Sequence, residues 1–205
     1  VFHHTLKIQS IINSKESNKM KKSLKILVIA AIAITASFTV QAQKYMTKNG
    51  NIKFYSETPI ETIEATNNQV NAALDSQTGD LVFKVLIKSF QFEKALMQEH
   101  FNENYMESDK FPNSTFVGKV TNLSAIDFSK EGTYEATIEG DLTIHGVTKK
   151  ISEKGTFTVK AGDKIHGISK FNVKPADYSI KIPGAVVKNI AETIEVTVDI
   201  ELSKM

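Results

Sequence analysis

A chain of 205 residues with 25 Lys, no Arg and 23 acidic residues is long enough for one domain with a substantial core. It lacks the Arg forks and basic face by which proteins commonly grip nucleic acid. It also has no Cys, so there is no disulfide framework and no cysteine to carry a lipid anchor.

Lys21, Lys22 and Lys25 precede an apolar run from Ile26 to Val40, and Val40-Gln41-Ala42 offers a small-residue cleavage site. This is the pattern of a secretory signal peptide over residues 20–42. The run is shorter than the ~20 residues a spanning helix needs. Met20 reads as the start, residues 1–19 as upstream sequence translated by mistake, and cleavage is expected after Ala42, giving a periplasmic or secreted protein. Six Lys and one acid lie in residues 1–42, which leaves 19 Lys against 22 acids, a net charge of −3.

Lys44 to Ser56 reads as a hairpin about Asn49-Gly50, the preferred dipeptide of a tight primed turn. Ile60 to Leu74 fits a helix or a strand, with a turn at Asn67-Asn68. Leu81 to Phe92 reads as one long strand. Phe83, Val85 and Ile87 share a face, and a β-bulge near Lys88-Ser89 is needed to bring Phe90 and Phe92 to it. Leu96, Met97, His100, Phe101 and Asn104 recur at helical spacing, which predicts one short helix within Glu93 to Met106. Thr115 to Val120 and Leu123 to Phe128 read as strands.

From Tyr134 to Ile144 the chain alternates strictly, with Tyr134, Ala136, Ile138, Leu142 and Ile144 on one face and polar residues on the other. This is the period of a half-buried strand. At about 3.3 Å per residue it reaches roughly 40 Å, twice an ordinary strand, and Gly140 on the apolar face is expected to let it coil. His145-Gly146 turns the chain back into Val147 to Lys160, with Phe157 and Val159 inward. Lys164 to Val173 and Thr193 to Leu202 follow as strands, separated by a loop from Pro175 to Gly184. About eight long antiparallel strands joined by short turns, with one short α-helix, predict an all-β, up-and-down barrel.

Three segments carry a resemblance. Phe101 with Lys110-Phe111-Pro112-Asn113-Ser114-Thr115-Phe116, the hairpin from Gly140 to Lys150, and Phe171-Asn172-Val173 with Asp177-Tyr178-Ser179-Ile180 resemble, in order and spacing, motifs of the YceI-like family. The resemblance spans roughly Phe83 to Leu202. It departs at Lys174-Pro175-Ala176, where the family has Arg before Asp, and at Ser179, where Gly is usual. It implies an exported lipocalin-like β-barrel that holds a polyisoprenoid, such as an isoprenoid quinone or polyprenyl lipid, as ligand. It also implies possible pairing as a homodimer.

An eight-stranded barrel either is filled by side chains or holds one small ligand. The expected ligand-binding residues are Phe83, Val85, Ile87, Phe90, Phe92 and Phe116 from the first strands, and Met97 and Phe101 from a helical lid. Ile138, Leu142, Ile144, Phe157, Phe171 and Val173 come from the later strands, and Tyr178 stands near the headgroup. The same residues also fit an ordinary core. Lys149, Lys150, Lys174 and Lys181 fall near turns, where they meet solvent, a phosphate or a quinone oxygen. Beyond residue 42 the only histidines are His100, His145 and His166. They lack the close pairing of metal motifs, and no nucleophile elbow or phosphate loop is present, so no catalytic residue and no metal are expected. The leading reading is a non-enzymatic carrier of an apolar lipid-like ligand, with the membrane only as its source. The alternatives are an envelope interaction domain with a filled barrel, or an enzyme using His145 or His166 with a carboxylate such as Asp177.

Overall fold

The computed structural model describes residues 43–205; the expected leader and upstream segment lie outside them. Eight antiparallel strands follow one another around a closed barrel: β1 (Lys44–Glu57), β2 (Thr62–Asp75), β3 (Asp80–Leu86), β5 (Asn113–Val120), β6 (Gly132–Ile144), β7 (Val147–Lys160), β8 (Lys164–Val173) and β9 (Ile194–Lys204). A two-residue β4 (Gln91–Phe92) and one short helix, α1 (Ala95–His100), lie in the connection between β3 and β5. β1 pairs with both β2 and β9, which closes the sheet.

Several sequence expectations are corrected. Asn49-Gly50 is not a turn but a bulge inside β1, with register shifts on both sides of Gly50. A primed turn needs positive φ at one or both central residues, and neither Asn49 nor Gly50 has it. Gly50 is required by a close approach, since a Cβ there would lie 2.7 Å from Ile200 Cγ2. Asn67-Asn68 is likewise no turn. Asn67 sits within β2, wholly buried. Leu123 to Phe128 forms a single 3-10 turn, Leu123–Ala125, and then lays Ile126 and Phe128 against the core at the barrel's end.

The long strand from Leu81 also breaks. A 3-10 turn at Ile87–Ser89 stands where a bulge was expected. It performs the same service, because Phe83, Val85, Ile87, Phe90 and Phe92 all pack on one interior cluster. Gly140 lies directly opposite Gly118, and a Cβ on Gly140 would fall 2.7 Å from Phe116 Cζ. The glycine pair therefore makes room for the Phe116 ring. His145-Gly146 is the tight turn expected, with φ of 49° and 74° between the paired Ile144 and Val147.

The two ends of the barrel differ. At the end holding the β2–β3, β5–β6 and β7–β8 turns, Leu74, Leu81, Val120, Ile165 and Leu202 are nearly inaccessible, and Phe157 lies over Gly167. This half is filled. The other end carries α1, the β6–β7 turn and the long β8–β9 loop. β7 pairs with β8 only over Gly155–Lys160, so the two strands part toward this second end. The Pro175–Tyr178 turn packs there, with Tyr178 4% exposed.

Candidate functional site

The second end holds a cavity of about 330 Å³. Its wall is built where residues of several strands meet the connection between β3 and β5. β1 contributes Ile52 and Phe54, β3 Val85, β6 Leu142 and Ile144, β8 Phe171 and Val173, and β9 Ile194 and Val196. Phe54 is the hub of an aromatic cluster, its ring centroid 5.5 Å from Phe90, 5.6 Å from Phe92 and 5.4 Å from Phe101. Offset and edge contacts of this kind add to the stabilisation from burial alone. The Ile87–Ser89 turn is what swings Phe90 and Phe92 into that cluster. A π-helical turn, Phe101–Tyr105, following α1 sets Phe101 beneath them.

Ten of the expected residues line this cavity: Val85, Ile87, Phe90, Phe92, Met97, Phe101, Leu142, Ile144, Phe171 and Val173. The other five do not. Phe83 and Phe116, in edge contact at 6.3 Å, lie one inward position further down β3 and β5 than the wall residues Val85 and Ser114, beneath the cavity. Ile138 and Phe157 belong to the filled half. Tyr178 is buried beside the wall, while its neighbours Pro175 and Ile180 line it. Burial raises the Tyr178 phenol above its ordinary value, helped by the Asp177 charge. Sequence reasoning missed Ile52 and Phe54, which lie in the Lys44 to Ser56 stretch that reads as a hairpin and which line the cavity. It also missed Ile182, Val186 and Ile190 of the long loop, which follow no regular period.

The rim is joined by polar contacts. Glu61, from the β1–β2 turn, accepts a hydrogen bond from Asn189 Nδ2 at 3.0 Å and meets Lys94 Nζ at 3.5 Å. One carboxylate thereby ties that turn to the β8–β9 loop and to the start of α1. Ser56 Oγ accepts from the Ala191 amide at 2.9 Å. His100 also lines the rim, and Asn104 Nδ2 lies 3.0 Å from its Nδ1. Among the described residues no lysine lines the cavity. Lys149 pairs with Asp177 and Lys150 with Asp141, and Lys174 and Lys181 lie outside the wall.

A second polar cluster stands next to the cavity. His145 is 9% exposed. Its Nε2 donates to Glu107 Oε2 at 2.8 Å, and its Nδ1 lies 3.2 Å from the Tyr178 carbonyl oxygen. Both partners are hydrogen-bond acceptors. Phe111 packs edge-on against the imidazole at 4.5 Å. This cluster pins the Pro175–Tyr178 turn to the β6–β7 turn and to the segment after the π-helical turn. Ser179 then takes φ of 57°, the left-handed conformation that explains why a glycine is usual there. His166 pairs with Asp199 at 2.7 Å on the barrel's outer face. Among the described residues no group of three or more His, Cys, Asp or Glu is placed to hold a metal ion.

The YceI-like domain model matches residues 33–202, and the chain belongs to that family. A UPF0312 protein of Pseudomonas fluorescens is 26% identical over 197 residues, covering 89% of this chain and 97% of that protein. A UPF0312 protein of Pseudomonas putida is 31% identical over 103 residues, 48% of each chain. Among solved structures, a polyisoprenoid binding domain from Saccharophagus degradans implicated in plant cell wall breakdown superposes with a TM-score of 0.70 at 12% identity, covering 80% of this chain and 100% of that one. BcnA of Burkholderia cenocepacia superposes with a TM-score of 0.61 at 12% identity, covering 75% and 96%. At these identities the likeness is one of fold.

Proposed function

We propose that this YceI-like barrel is a non-enzymatic carrier, exported to the periplasm, that holds an isoprenoid or similar single-chain lipid in its hollow end. The observation that carries the reading is the cavity itself: a half-barrel left open and walled almost wholly by aliphatic and aromatic side chains, with a few polar groups among them. Such a site suits an apolar ligand oriented by a small polar end. Burial of the chain supplies the driving force, at about 0.8 kcal/mol per methylene. The polyisoprenoid binding named for the Saccharophagus degradans domain points the same way.

The arrangement of the histidines favours carriage over catalysis. His145 and His166 engage Glu107 and Asp199 outside the cavity, and Asp177 is paired with Lys149. At the rim, His100 is engaged by Asn104 and Glu61 by Lys94 and Asn189. The test is organic extraction of the purified protein followed by mass spectrometry. A stoichiometric isoprenoid or other single-chain lipid is the expected result. A blank that persists after incubation with membrane lipids refutes the carrier.

A further inference from the structure

We infer that the ligand is short and uncharged: an apolar chain of about two to three isoprene units with a neutral head, its length set by the Phe83–Phe116 pair. The inference rests on the carrier reading above and goes beyond it by fixing the class of ligand. The cavity ends half-way down the barrel. Below Val85 and Ser114, the next inward residues of β3 and β5 are Phe83 and Phe116, whose rings meet at 6.3 Å. Phe116 cannot swing away cheaply, because it already fills the space left by the facing Gly118 and Gly140. Beneath it Phe157 lies over Gly167 in the same manner. Tyr45, Leu74, Leu81, Ile165 and Leu202, all 2% exposed or less, leave the lower half without room for a chain. A water-sized group takes about 30 Å³ in a liquid, so 330 Å³ accommodates about eleven such groups, on the order of two isoprene units, with a third reaching the rim.

The head follows from the rim's charges. Apart from the Tyr105 phenol, the ionisable side chains lining the cavity are those of Glu61 and His100. The nearest lysine contact, Lys94, is directed to Glu61. A phosphate or diphosphate would meet a carboxylate and find no lysine in the wall, whereas anion sites recruit Arg, Lys or backbone amides. With Asn104 Nδ2 on His100 Nδ1, the other ring nitrogen carries the hydrogen and is a donor suited to a hydroxyl or carbonyl oxygen.

The experiment measures dissociation constants by displacement of a fluorescent apolar probe with geraniol, farnesol, geranylgeraniol and geranylfarnesol, and with farnesyl diphosphate. Affinity should rise steeply from geraniol to farnesol, by up to about fourfold per added carbon, and then level off. Farnesyl diphosphate should bind more weakly than farnesol. In Phe83→Ala, with folding checked by circular dichroism, the plateau should move to longer chains. Affinity that keeps climbing through geranylfarnesol overturns the length limit and leaves the carrier intact. Tighter binding of the diphosphate overturns the neutral head. Failure of every chain to displace the probe removes the carrier reading and this inference together.

Discussion

Asn67 offers the sharpest test of how the cavity wall is made. β2 pairs with β3 over Asn71–Leu74 and with β4 over Ala65–Thr66. Between these ladders the Ile87–Ser89 turn leaves β2 without regular partners on that side, while β1 still pairs with it on the other. Asn67, 0% exposed, spans the gap. Its Nδ2 donates to the Leu86 carbonyl and its Oδ1 accepts from the Gln69 amide, each at 2.9 Å. Ser89 Oγ adds a bond to Gln69 Oε1 at 3.1 Å. Asn67→Ala strips a partner from two backbone groups. At about 1–3 kcal/mol for each group left unsatisfied, with some relief from water at the more exposed Gln69, the expected loss is about 2–4 kcal/mol. Asn67→Asp should be worse at neutral pH, because a buried carboxylate faces a carbonyl oxygen. Burial raises that carboxyl's folded value above its unfolded one, so the penalty is present above the folded value and fades as pH falls through it. Urea unfolding midpoints of the three proteins at neutral and acid pH measure this. An Ala variant within about 0.5 kcal/mol of the parent, or an Asp variant no worse than Ala at neutral pH, refutes the argument.

His145→Asn keeps a residue that tolerates positive φ but cannot span from Tyr178 to Glu107. The Ile180 amide, bonded to the Pro175 carbonyl at 3.1 Å, should then exchange with deuterium at least about tenfold faster, while Ile165 in the filled half keeps its protection. Glu201 lies 2.8 Å from Lys164 and 3.3 Å from Lys160, and these bonds, that to Lys164 foremost, hold its carboxyl below the ordinary value. The stabilisation is therefore present above the unfolded value and lost as pH falls through the depressed folded one. Glu201→Gln should lower the melting temperature at neutral pH and match the parent once the solution is acid enough to protonate the native carboxylate; a difference that persists unchanged in acid contradicts this.

The sequence made the barrel legible because one-sided strands announce themselves by a period of two, and β6 to β9 do so over most of their length. The misreadings share a cause. At Asn49-Gly50, Asn67-Asn68 and the run from Leu123 local propensity points one way and a tertiary contact decides the outcome: Ile200 against Gly50, the Leu86 carbonyl against Asn67, the core against Ile126. The wall was readable wherever it lies on regular strands. The division into filled and hollow halves was not, since Phe116 and Phe171 look alike in sequence. What separates them is that Phe116 lies down on two facing glycines from different strands, a fact about register. The rim contacts of Glu61, across 128 residues to Asn189, carry no local signal at all.

A hollow half-barrel has a thermodynamic consequence that binding must reveal. Unfilled apolar space costs about 24 cal/mol per Å³ in buried sites, so a dry 330 Å³ cavity would cost as much as about 8 kcal/mol, comparable to the whole stability of a typical domain. Water entering through the open mouth reduces that figure but gains few hydrogen bonds from an apolar wall. The filled half and the polar ties across the rim must hold the hollow half open when it is empty, and a ligand should return much of the loss. A ligand at a hundredfold excess over its dissociation constant adds about 2.7 kcal/mol, which for a domain of this size raises the melting temperature by about 5–10 °C. The comparison is between protein freed of lipid by extraction and refolding and the same protein reloaded with farnesol. Equal melting temperatures would mean that farnesol does not bind the native protein, because any ligand held by the folded state alone must raise its melting temperature.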